Sequence, residues 1–193
     1  MFSAADIASM RAMVATAFDQ TCTILQQIST PNDGGSSTTS DIQVPNTPCH
    51  VRPNRRIPQE QSESGTLAAL KRFEVILPWN ASISVTDRIG VNSGGVTSVS
   101  VGANSAIQAL ASVAGIIPGG WLYFGTAQVV AQVVSISGLN VTLKVSEGYV
   151  PVNTATNEVV TLASMFEVLA HDAGKSYQTK IICDCMRVDD GSQ

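Results

Sequence analysis

Charge is what this sequence has least of. Only 13% of its 193 residues are Asp, Glu, Lys or Arg, against roughly 25% in an ordinary globular domain. From Gly90 through Leu143 there is not one. The net charge of −4 gives no global attraction to nucleic acid. A surface so short of charge suits subunits that pack against one another. Exposed strand edges are normally guarded by charge, so the neutral edges here need covering, by the segment itself or by neighbouring subunits.

Other absences narrow the class further. Met1 to Phe18 contains Asp6 and Arg11 and lacks the apolar core of a secretory signal, so a cytosolic site of synthesis is expected. The longest neutral apolar run, Ala106 to Ile117, is interrupted by Gln108, Ser112 and Gly115 and stopped by Pro118-Gly119-Gly120, so no membrane-crossing helix is expected. The glycine-rich Val91 to Gly95 lacks the lysine of a phosphate loop. The four cysteines, Cys22, Cys49, Cys183 and Cys185, lie in strand-like surroundings. They suit buried free thiols, with a metal site or disulfide as the alternative. Zinc prefers wider spacing in turns, whereas Cys183 and Cys185 fall on one strand face. Cys49 and His50 are sequence neighbours and point to opposite faces of a strand, while His171 sits in a turn-like His-Asp-Ala-Gly-Lys stretch. No nucleophile–base pair is visible, and the chain is expected not to be an enzyme and to need neither metal nor cofactor.

What is present is β pattern. The stretch Lys71 to Ile89 organises the chain: Phe73, Val75 and Leu77 alternate with Arg72, Glu74 and Ile76. Pro78-Trp79-Asn80 breaks the run, and Ile83 to Thr86 reads as a second extended piece ending in an Asp87-Arg88 acid–base pair. Before it, Ser3 with Asp6 predicts a helix start, with Ile7, Met10, Met13, Val14, Ala17 and Phe18 on one face. Gln20 to Ile28 turns to strand, Thr30 to Asp41 is a polar hairpin loop, and Ile42, Val44, Cys49 and Val51 mark the returning strand. Pro53 to Leu70 has no period and reads as a long loop bearing Arg55-Arg56. The neutral segment predicts strands over Val96 to Val101, Trp121 to Phe124, Ala127 to Ile136 and Leu139 to Val145. Charged alternation resumes at Met165, with strands at Phe166 to Leu169 and Tyr177 to Val188. The expected fold is mainly β: a small, SH3-like β-barrel core made from residues 1–89 and 166–193 with an N-terminal helix, and an inserted neutral β module over 90–165.

With that insertion set aside, the order of elements resembles the head-tail joining proteins of tailed phages, and among them the head-closure, or stopper, family. The pieces are DQTCTIL, DGGSSTT, TPCHVRP, RFEVILPWNASISVTDRI and FEVLAHDAGKSYQTKIICDCMRV. In that family a strand ending in DRI is joined by a short turn to a Tyr/Phe-Glu-Val strand; here residues 90–165 intervene. The insertion, with Gly95 to Val101 (GVTSVSV) and Ile117 to Gly125 (IPGGWLYFG), is similar to small β modules of other phage structural proteins. The resemblance implies a virion structural protein of the neck. It would form a homo-oligomeric ring, six- or twelve-fold, between the portal or adaptor protein above and tail-terminator or tail proteins below. Such a ring retains packaged DNA without reading its sequence and docks the tail, after assembly in the host cytoplasm. The loop that projects into the channel would be the Pro53 to Leu70 stretch, with Arg55, Arg56, Gln59, Glu60 and Gln61 as candidates. Trp79, Trp121, Tyr123 and Phe124 are candidates for subunit contact. Alternatives are a tail-terminator ring, or a β module that recognises glycans through Trp121, Tyr123 or Tyr149.

Overall fold

The computed structural model describes residues 2–31, 37–54, 72–100, 106–144, 158–172 and 179–188. The chain is mainly β, with one N-terminal helix and a closed six-stranded antiparallel barrel carrying extra strands outside it. Helix α1 (Ala4–Ala15) starts at Ser3, whose hydroxyl accepts the Asp6 amide while the Asp6 carboxylate accepts the Ser3 amide. This reciprocal cap satisfies donors that the first helical turn leaves open. The expected apolar stripe is only partly used: Ile7, Met10, Val14 and Phe18 are half-buried, whereas Met13 and Ala17 face solvent.

The barrel uses both ends of the chain. Its strands are β1 (Gln20–Pro31), β2 (Ser37–Pro53), β3 (Arg72–Pro78), β4 (Arg88–Ser100), β9 (Glu158–His171) and β10 (Lys180–Val188). They pair around the ring as β1–β2–β3–β10–β9–β4 and back to β1. Closure leaves the barrel without an open edge. Alternation sends Cys22, Ile24, Cys49, Val75, Leu77, Ile89, Val91, Phe166, Val168, Ile181, Cys183 and Cys185 inward to a single core. Phe73 and Phe166 meet edge to face at 5.3 Å, a favoured aromatic geometry.

Two details differ from the sequence expectation. Strands β1 and β2 continue to Pro31 and from Ser37, so most of the supposed hairpin loop is a two-stranded ribbon. An extra β2 residue opposite Thr23 makes a bulge, with Asn46 left-handed at φ 59°. Second, Ile83 to Thr86 is a turn. Asp87 is buried, and its carboxylate accepts the Ser84 amide (2.8 Å) and the Gln27 amide (3.3 Å). It serves as a local knot, whereas the sequence suggested an acid–base pair with Arg88.

The middle of the chain grows directly out of the barrel. Beyond Asn92, β4 stays paired with β9, and β9 exchanges β10 for β6 (Trp121–Phe124) as its other neighbour. Strands β7 (Val129–Ser137), β8 (Asn140–Leu143) and β5 (Ile107–Ala109) then follow in the order β6–β7–β8–β5. They enclose a second core of Leu110, Leu122, Phe124, Val133, Val141 and Leu143 with their neighbours. The β6–β7 hairpin folds back on the barrel's outer wall, where Trp121, Tyr123 and Val130 pack on Leu25, Ala163 and Met165. Gly90 makes that approach possible, since a Cβ there would lie 2.7 Å from Val130 Cγ1 and 3.0 Å from Met165 Sδ. Polar ties reinforce it. The Gln43 side chain donates to Val130 O (2.8 Å) and accepts from Val130 N (3.1 Å), and the Thr23 hydroxyl donates to Gln128 O.

Candidate functional site

No group of three or more His, Cys, Asp or Glu is placed to hold a metal ion among the described residues. All four thiols are free and buried in the barrel core. The neighbouring Cys49 thiol, and then burial, hold the Cys22 thiol well above its ordinary range. Burial, with Asp172 and Asp87 adding to it, pushes Cys183 up to about 12, and burial raises Cys185 as well. His171 lies opposite Cys183 in the β9–β10 register, so sequence reasoning that placed it in a turn missed this neighbour. An elevated thiol is the opposite of the thiolate that nucleophilic chemistry uses. His50 points away from Cys49, as alternation dictates, and bonds Asp19 at 2.9 Å. That bond holds the Asp19 carboxyl below its usual value.

The surface candidates divide sharply. Trp121, Tyr123 and Phe124 are buried, Phe124 in the outer core and the other two between β6 and the barrel wall. Their side chains are already engaged within the chain, which corrects their assignment to subunit contact and removes two of the three aromatics proposed for glycan stacking. Their alternation with polar residues was absent, and four successive buried positions mark a strand covered on both faces. Trp79 is the one of the four that is exposed, and the Arg11 guanidinium stacks over its ring at 3.6 Å. This cation–π contact ties α1 to the β3–β4 turn. The channel-loop candidates Arg55, Arg56, Gln59, Glu60 and Gln61, and Tyr149, lie outside the described residues.

Two features escaped the sequence reading. One is the ribbon formed by Gln26 to Pro31 and Ser37 to Val44, which pairs only with itself beyond Leu25. Ile28, Ile42 and Val44 on it are exposed. By register these side chains share a face with Ile24, so the barrel's inner face runs on past the rim into solvent. The unbroken period through Gln26 and Ile28 was the available signal. The other is an open groove of about 600 Å³ beside β4, lined by Phe18, Asp19, Thr21, Pro48, Asn92 and Gly94 among others. It sits where β1 stops pairing with β4 after Cys22↔Val91.

No protein-family model matches the chain, and no curated protein matches it.

Proposed function

We propose that this chain is a virion structural protein of a tailed-phage neck, a ring-forming stopper below the portal. The observation that carries this reading is the pairing of the two motif strands on which the resemblance turns. Arg88↔Glu167 and Ile89↔Phe166 are direct antiparallel partners, even though residues 90–165 separate them in sequence. The DRI and Phe-Glu-Val pieces thus stand as they would if a short turn joined them. The insertion is then an outgrowth of one barrel hairpin that leaves the barrel closed. Neutral, apolar outer positions such as Ile107, Val134 and Leu139 suit packing against other virion proteins. The mechanism is geometric: repeated copies surround a channel, hold packaged DNA through contacts that ignore sequence, and offer the tail a docking face.

Electron microscopy of the purified protein, and of necks from particles carrying it, is the direct test. Rings with a central channel are expected. A protein that stays monomeric at every concentration and never joins portal or tail would overturn the proposal. Deleting the gene separates a stopper, whose loss leaves heads that leak DNA, from a tail terminator, whose loss gives overlong or unstable tails.

A further inference from the structure

On the ring reading proposed above, we infer that copies join head to tail through the β1–β2 ribbon, which enters the groove beside β4 of the next copy. A two-stranded ribbon alone in water is marginal. This one is tied to the rest of the chain at its base, where the Gln26 side chain donates to Ser82 O, the Gln27 amide to Asp87 and the Gln43 side chain to Val130 O. It holds six register pairs, from Gln26↔Ile42 to Pro31↔Ser37, and bares Ile28 and Ile42 on one face. Its far strand is poorly suited to further pairing near the barrel, because Pro45 and Pro48 lack donors and Asn46 sits in a bulge. The ribbon's outer part carries none of these blocks except its terminal Pro31.

The groove supplies what such a ribbon lacks. Strand β4 pairs with β1 only through Arg88 to Val91, but continues to Ser100 with β9 on its other side. From Asn92 onward β4 has no ladder pairing with β1, and the groove lies between Asn92 to Gly94 and the diverging Phe18 to Thr21. An incoming strand would complete the ladder, as in β-augmentation. Phe18 and Pro48 give the groove apolar lining for Ile28 and Ile42, and its one ionisable lining residue, Asp19, is already bonded to His50. The ribbon is equally neutral, with Asp41 its one charge between Gln26 and Pro31 or Ser37 and Val44. A volume of about 600 Å³ is in the range that accommodates several groups of a partner.

Ribbon and groove lie at opposite ends of β1, roughly 25 Å apart at the strand's rise per residue. A patch and its complement on different parts of one chain make a heterologous contact, which closes into a ring when the rotation allows. Self-pairing across a two-fold axis would instead bring ribbon to ribbon.

The test uses the full chain with single cysteines added, Ile28→Cys in one preparation and Ser93→Cys in another, each oxidised with diamide. A covalent dimer is expected when the two preparations are mixed, and neither alone should give one. A dimer from Ile28→Cys alone would mean ribbon-to-ribbon contact and overturn the inference. In parallel, Ile28→Lys with Ile42→Lys should reduce the assembled mass to the 20.2 kDa of one chain, with the far-ultraviolet spectrum unchanged. Rings that survive this double variant would overturn ribbon docking while leaving the ring reading intact. A wild-type chain that never assembles would overturn both.

Discussion

Among single residues, Gly90 shows how little space separates barrel and outgrowth. A methyl group there meets Val130 and Met165 inside contact distance, and overpacking of this kind typically costs about 1–3 kcal/mol. Gly90→Ala should therefore lower the thermal midpoint, and adding Val130→Ala should recover part of the loss in the double variant. Denaturant titration of the four proteins measures the coupling. The cysteines make an equally sharp expectation. Because all four are buried and those with shifted values are raised, a thiol reagent at pH 8 should label the native protein very slowly. All four should react once it is unfolded. Asp87 offers a third check: its carboxylate serves two backbone amides while almost wholly buried. Asp87→Ala should destabilise by about 1–3 kcal/mol through those unsatisfied donors, measured by the same titration.

At the scale of elements, α1 is held by its edges. It buries no residue fully, and its ties are the half-buried stripe, the Arg11–Trp79 stack and, just past its end, Asp19–His50. A helix of this length has little stability of its own in water. Hydrogen bonds from Ser3 hold the Asp6 carboxyl below its usual value, as His50 does for Asp19. A depressed carboxyl favours the folded arrangement above its ordinary value near 3.8. That contribution fades as pH falls through the lower, folded value. Helix protection against hydrogen exchange should thus hold across neutral pH and weaken only in acid below about pH 4. Ser3→Ala should reproduce the loss of the cap at neutral pH, with helical signal reduced.

Which elements could be read from sequence follows the same physics. A strand whose burial alternates, such as β10, announced itself by period, and Ser3 with Asp6 announced the helix. Trp121 to Phe124 did not reveal its role, because a strand buried on both faces lacks the alternation that assigns a side. Ile83 to Thr86 misled because β-branched residues favour strands only when a neighbour offers hydrogen bonds, and here Asp87 took the backbone donor. The groove was invisible from sequence. It exists because two strands stop sharing a partner at different points, a matter of register between residues 22 and 91.

For the molecule as a whole, two cores are joined by a third contact layer between barrel and outgrowth. The segments before and after the outgrowth close on each other, as β10 lies between β3 and β9. The outgrowth also serves its own barrel by covering Leu25 and Met165. Shortening the chain by linking Val91 to Ser164 through Asn-Gly, a turn suited to an antiparallel hairpin, should keep the barrel strands paired but bare that wall. Increased binding of an apolar dye and self-association on concentration are the expected signs.

The passage of β4 and β9 through both bodies, with β4 bulged between Asn92 and Ser98, has a mechanical consequence. A tug on the outer sheet travels lengthwise down these two strands and loads the ladder bonds on either side of the bulge. The two bodies share these strands, so strain felt at one end is delivered through the bulge at Gly94 to the barrel wall.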